Sequence, residues 1–299
     1  MEKEQSFKFS YESLWKFIIR PPRGNYKESD LGPKVFNRRN NKIYTRTDYT
    51  ILSKRGFLLK CSFFQQELFS RKPFIMPVII YLHGNSSSRM EGKKLVEFLF
   101  DYDINTFIFD FAGCGLSEGS YISLGYHEKN DLETIINFVE KLPGVGNIGL
   151  WGRSMGAATI LLYTHSDSRI KAICVDSSFA DFSVLAQNLV YSYMKIPGFI
   201  VKGALIFIRK TIMNQNDFDI DELKPILFCS KTFVPAFFIH ALADELIPLD
   251  HTLQLYEGYA GEKSINIVEG GHNSSRQLHI IRTIAKFFTQ YLNDDENKL

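Results

Sequence analysis

A serine flanked by two glycines lies near the middle of the chain, in the pentapeptide Gly152–Gly156, which has the spacing G-x-S-x-G. The apolar run 148–151 predicts a buried strand before it, and the alanine-rich stretch 155–163 predicts a helix after it. Such a sharp turn strains the serine backbone and lifts its hydroxyl above the sheet edge. The alternatives are an ordinary glycine-rich turn and a phosphate-binding loop. The strand, turn and helix together favour Ser154 as a nucleophile.

A nucleophilic serine in this setting needs an acid and then a histidine later in the chain. His272 follows the last predicted strand and has two glycines before it, so a loop can bring it back to the serine. Asp244 follows the predicted strand 236–239 and is our candidate acid, with Glu245 and Asp176 as competitors. The sequence therefore predicts His272 as the general base and Asp244 as the carboxylate that orients it.

Two backbone N–H groups are expected to hold the oxyanion that forms during acyl transfer. One belongs to Met155, directly after the nucleophile, and the other to Asn85, in the loop after the predicted strand 77–82. Gly84 allows the backbone of this loop to approach the substrate and is counted with the substrate-binding residues. His83 is expected to make hydrogen bonds within the loop, because the catalytic base comes late in the chain.

Other kinds of chemistry find little support in the sequence. The glycine-rich segment 110–117 lacks both nucleotide-binding spacings, so we interpret it as a structural turn. No group of residues has metal-ligand spacing, and hydrolysis by a serine needs no cofactor. The net charge of +2 gives no reason to expect nucleic-acid binding. Four separated cysteines fit a reducing compartment, so we expect a cytoplasmic protein.

Strand and helix patterns alternate along most of the chain, which predicts one α/β domain over residues 1–299 with a mostly parallel, eight-stranded sheet flanked by helices. Residues 177–234 interrupt this alternation and are expected to form a helical cap insertion. Within it, Phe179 and Phe182 are candidate substrate-binding residues. The amphipathic segment 11–19 is expected to pack on the core, and peripheral membrane contact is the alternative.

These motifs carry a likeness to a known group of proteins. The chain resembles a largely uncharacterised family of plant and protist α/β-hydrolase proteins and, more distantly, is similar to the serine aminopeptidase and monoacylglycerol-lipase-like hydrolases. The resemblance implies an α/β-hydrolase fold with Ser154, Asp244 and His272 as the triad. One departure is Gly271, where the related proteins often have an acidic residue. The segments that carry the likeness are 17–23, 82–86, 110–119, 150–156, 225–244 and 271–276.

The expected function is therefore a serine hydrolase that cleaves an ester or thioester, and less readily an amide, through an acyl-enzyme. The aromatic cap favours a small-molecule or lipid substrate with an apolar acyl group. Three other interpretations stay open at this stage. The chain could be a catalytically idle scaffold or binding protein of the same fold, a serine peptidase, or a depalmitoylase at a membrane surface.

Overall fold

The computed structural model describes residues 15, 16, 18–37, 42–67, 75–194 and 198–293. Most of the predicted amphipathic segment, residues 11–14 and 17, lies outside the described residues. In the described chain, nine strands form one sheet. They are β1 (Val35–Asn37), β2 (Ile43–Leu52), β3 (Leu58–Glu67), β4 (Met76–Leu82), β5 (Asn105–Phe109), β6 (Val145–Arg153), β7 (Ile170–Asp176), β8 (Ala236–Ala241) and β9 (Lys263–Val268).

The strand order in the sheet is β1-β2-β3-β5-β4-β6-β7-β8-β9. The pairings β1–β2, β2–β3 and β3–β5 are antiparallel, and every later pairing in this order is parallel. The prediction of a mostly parallel sheet is thus confirmed, whereas the predicted number of eight strands is wrong. The additional strand β1 has only three residues, too few to show an alternating apolar pattern in the sequence.

Helices connect the strands and cover both faces of the sheet. They are α1 (Met90–Phe100), α2 (Glu128–Val139), α3 (Met155–Tyr163), α4 (Phe182–Met194), α5 (Gly198–Asn216), α6 (Ile226–Cys229), α7 (Leu249–Gly258) and α8 (Leu278–Leu292). Two long helices, α4 and α5, together with the short α6, lie between β7 and β8. This is the stretch in which the sequence predicts a helical insertion.

The central strand β4 shows how the sheet separates two apolar cores. Its successive side chains alternate between the faces, so Val78 and Ile80 join one buried cluster while Ile79 and Tyr81 join the other. Ile284 and Phe288 of α8 pack into the second cluster. Burial on both faces explains why β4 reads as a continuous apolar run. The carboxyl ends of β4, β6, β7, β8 and β9 then share one edge, where the candidate site lies.

Candidate active site

The turn between β6 and α3 holds Ser154 at φ 52° and ψ −116°, a left-handed conformation that L residues rarely adopt. The Ser154 N–H donates to the carbonyl oxygen of Asp176 at 2.8 Å, which ties the turn to the end of β7. A Cβ atom at Gly156 would lie 2.1 Å from the Leu82 carbonyl oxygen. Only glycine therefore allows the first turn of α3 to approach β4 this closely.

The three residues predicted as a triad form one continuous hydrogen-bonded chain. His272 Nε2 lies 3.0 Å from Ser154 Oγ, and His272 Nδ1 lies 2.7 Å from Asp244 Oδ2. The other carboxylate oxygen of Asp244 accepts from the N–H groups of Leu246 and Ile247, at 3.0 and 2.8 Å. Nucleophile, imidazole and carboxylate thus have the distances that proton transfer from the serine requires.

The charge of the Asp244 carboxylate is maintained by its partners. Burial alone would raise the pKa of Asp244, but the hydrogen bond and charge of His272, together with the two N–H groups, hold it below its ordinary value. Nearby, burial lowers the pKa of His240, whose Nε2 lies 3.7 Å from Asp244 Oδ2. A neutral His240 imidazole does not compete with His272 for the negative charge of this carboxylate.

The two competing acids have other partners. Both carboxylate oxygens of Asp176 accept from the guanidinium of Arg276, at 2.7 and 2.8 Å. Glu245 Oε2 accepts the backbone N–H of His272 at 3.1 Å and so contacts the histidine through its backbone, not its imidazole. A Cβ atom at Gly271 would lie 2.6 Å from Glu245 Oε2. The Glu245 carboxylate thus occupies the space that a side chain at position 271 would need.

The loop after β4 passes directly beside the nucleophile. A Cβ atom at Gly84 would lie 3.7 Å from the Cβ of Ser154, so the backbone beside Asn85 lies close to the serine. Met155 is the first residue of α3, and the N–H groups of a first helical turn have no partner within the helix. His83 accepts from the Phe111 N–H at Nε2, and its Nδ1 lies 2.8 Å from the Gly84 carbonyl oxygen, so it serves the loop itself.

Glu91 and Arg153 link the two loops on either side of the serine, and sequence reasoning gave neither of them a role. Glu91 Oε2 accepts the Gly84 N–H at 3.1 Å, and Oε1 accepts the Tyr81 hydroxyl at 2.8 Å and lies 3.9 Å from an Arg153 nitrogen. The Arg153 guanidinium also donates to the carbonyl oxygens of His272 and Ser274. One ion pair therefore connects the loop that carries Asn85 with the loop that carries the histidine.

The two aromatic residues predicted to bind substrate are buried in the described chain. Phe179 and Phe182 are 3% and 8% exposed, with ring centroids 5.6 Å apart. In the predicted turn 110–117, buried Asp110 accepts from the N–H groups of Arg89 and Leu116, at 2.7 and 2.9 Å. All four cysteines are buried and free, and burial raises the pKa of each thiol, so the described structure offers no competing thiolate nucleophile.

Among the described residues, no group of three or more histidine, cysteine, aspartate or glutamate side chains could hold a metal ion. Within the same part of the chain, no helix combines the length and the apolar character that crossing a bilayer demands.

The sheet order, the strained serine after β6 and the late histidine define an α/β-hydrolase fold. Residues 77–202 match the family described as alpha/beta hydrolase fold. Among solved structures, an esterase of Pyrococcus furiosus superposes with a TM-score of 0.68 at 19% identity, covering 92% of this chain and 98% of the esterase. This likeness shows the shared fold.

Curated relatives include proteins of bacteria and animals. The uncharacterized protein YqkD of Bacillus subtilis is 29% identical over 276 residues, which span 90% of this chain and 86% of YqkD. The lysophosphatidylserine lipase ABHD12 of Danio rerio is 28% identical over 198 residues, 64% of this chain but only 49% of the lipase. The likeness is therefore not specific to plant and protist proteins, contrary to the expectation from the motifs.

Proposed function

We propose that this chain is a serine hydrolase that cleaves carboxylic ester or thioester bonds through an acyl-enzyme intermediate. The single observation that carries the proposal is the hydrogen-bonded chain from Ser154 through His272 to Asp244, built on a left-handed serine backbone. The esterase of the same fold and the lipase relative support ester substrates in particular. We further propose that the helices of 177–234 form a cap that covers the acyl group, and that the protein acts in the cytoplasm, where its thiols stay reduced.

In the proposed mechanism, His272 Nε2 takes the proton of Ser154 as the serine oxygen attacks the carbonyl carbon. The carbonyl π electrons move to oxygen, and the N–H groups of Asn85 and Met155 stabilise this oxyanion. When the oxyanion collapses, the bond to the leaving group breaks and His272 gives that group its proton. A water molecule then repeats the sequence on the acyl-serine ester. Asp244 stabilises the imidazolium in both halves of the reaction.

The test is turnover of p-nitrophenyl esters with acyl chains of increasing length, together with a matched thioester and anilide. We expect the wild type to hydrolyse the esters, Ser154→Ala to be inactive, and Ser168→Ala, which removes an exposed serine, to match the wild type. A fluorophosphonate should label the wild type at Ser154 alone. Absence of both turnover and labelling in the folded wild type would refute the hydrolase and favour a binding scaffold. Faster cleavage of the anilide than the ester would favour the peptidase.

A further inference from the structure

A second candidate site lies on the amino-terminal segment, beside the loop after β4. A cavity of about 470 Å³ is lined there by three cationic residues, Lys16, Arg20 and Arg23. The other lining residues are Ile19, Pro21, Gly113, Ser120 and Ile122, so none of the described lining residues is acidic. The whole chain has a net charge of only +2, and this cavity therefore concentrates positive charge locally.

The walls of the cavity are fixed by contacts between the amino-terminal segment and the loop after β5. The Ile122 N–H donates to the Ile19 carbonyl oxygen at 2.8 Å, and both side chains are buried. The Arg23 guanidinium donates to the carbonyl oxygens of Ser117 and Gly119. The Arg20 guanidinium lies over the Tyr121 ring, 5.8 Å from its centroid. The Arg23 guanidinium is thus held in place before any ligand arrives, which lowers the entropic cost of binding.

The same segment continues directly onto the loop that carries Asn85. A Cβ atom at Gly24 would lie 2.8 Å from the Ser87 carbonyl oxygen, so the backbone of the segment rests against this loop. Two residues later, the Tyr26 hydroxyl donates to Asp110, directly after β5, at 2.6 Å. The amino-terminal segment that lines the cationic cavity therefore also contacts the loop that carries Asn85.

We propose that this cavity binds a phosphate group. Arginine offers several N–H donors in a fixed fork that matches phosphate oxygens, and lysine adds a point charge. The two guanidinium charges of Arg20 and Arg23 balance a dianionic phosphate better than they balance a single carboxylate. If the phosphate belongs to the substrate, the ester cleaved at Ser154 carries it on its alcohol portion, and this reading rests on the proposed hydrolase function. If the phosphate is a free metabolite, the cavity is a regulatory site.

Direct binding tests the cavity without requiring turnover. Glycerol 3-phosphate is titrated calorimetrically into the full chain carrying Ser154→Ala, with glycerol as the uncharged reference. We expect glycerol 3-phosphate to bind and glycerol not to bind. Added salt should weaken the binding of glycerol 3-phosphate because exposed charges are screened. In the same background, Arg20→Gln and Lys16→Gln should each weaken binding about tenfold, as expected for one lost charge-assisted hydrogen bond. The control Lys94→Gln, at an exposed position on α1, should bind as its parent does.

Kinetics of ester hydrolysis distinguish a phosphate that belongs to the substrate from a free phosphate ligand. Two esters share one acyl chain, one being an acylglycerol and the other an acylglycerol 3-phosphate. If the phosphate belongs to the substrate, the wild type prefers the phosphate ester over the neutral ester. Arg20→Gln should then reduce this preference, measured as the ratio of the two kcat/KM values, about tenfold. For a free ligand, added glycerol 3-phosphate changes hydrolysis of the neutral ester by the wild type.

Two results separate the cavity from the hydrolase. Phosphate binding without any esterase activity would support the cavity and refute the proposed function. Equal affinity for glycerol and glycerol 3-phosphate, or no effect of either cavity substitution in a folded protein, would overturn the phosphate site.

Discussion

Replacement of Glu91 by alanine is expected to lower kcat for ester hydrolysis about 100-fold, with little change in KM. Glu91 contacts neither the serine nor the histidine, but its carboxylate holds the buried Gly84 N–H and thereby the backbone that presents the Asn85 N–H. An unpaired buried N–H costs about 1–3 kcal/mol, and this cost drives the loop to rearrange. Loss of one oxyanion donor typically reduces kcat by about 10²–10³, and this range is the upper bound on the effect expected of Glu91→Ala.

The measurement is steady-state hydrolysis of a p-nitrophenyl ester, with thermal unfolding to show that the variant is folded. Glu91→Gln keeps an oxygen that can accept the Gly84 N–H and should retain more activity than Glu91→Ala. Glu257→Ala removes an exposed carboxylate from α7 and should match the wild type. If Glu91→Ala is folded and its kcat lies within about twofold of the wild type, the carboxylate does not position the oxyanion loop, and the reasoning is refuted.

Three further predictions concern the acid, a buried carboxyl group and the turn. Asp244→Asn should lower kcat about 10⁴-fold, because the amide favours the wrong histidine tautomer. Steady-state kinetics of the variant and the wild type measure this loss, and a much smaller loss would contradict the role of Asp244. Burial raises the pKa of Asp131 to about 7, so the folded state holds an extra proton and unfolding free energy should fall by up to roughly 4 kcal/mol as pH rises from 4 to 8. Asp131→Asn should lack this decline in urea titrations, whereas parallel pH curves for the two proteins would contradict the assignment. Gly156→Ala should unfold at much lower temperature, since its Cβ would lie 2.1 Å from the Leu82 carbonyl oxygen, while Gly203→Ala, which meets nothing within 4 Å, should not be destabilised.

Local signals explain what the sequence could predict. The buried runs of β4, β6, β7 and β8 are continuous because helices cover both faces of the sheet, and the G-x-S-x-G spacing requires a close approach of strand and helix. The late histidine and the carboxylate after β8 follow from the chain order that the fold imposes. The apolar runs and the G-x-S-x-G spacing lie within a few residues of the positions that they predict, whereas the chain order relates positions far apart in the sequence.

The contacts that support the site could not be predicted in this way. Arg153 reaches a carbonyl oxygen 119 positions later in the chain, and Arg276 pairs with a carboxylate 100 positions earlier. No periodicity marks such partners, because each side chain reads as an ordinary surface cation until the fold brings the segments together. Likewise, Gly271 looks like a missing acidic residue in the sequence, whereas in the structure Glu245 fills that space from another loop.

The pairing of Arg276 with Asp176 has a consequence for how this site tolerates mutation over evolutionary time. Both oxygens of the second carboxylate at the sheet edge are already engaged by the guanidinium. Because Arg276 engages Asp176, this carboxylate is not available to His272. Loss of Asp244 would therefore leave the imidazole without a substitute acid. For Asp176 to take over the role proposed for Asp244, its pairing with Arg276 must be lost first. After loss of Asp244, a second substitution at Arg276 would thus be needed before Asp176 could serve as the acid.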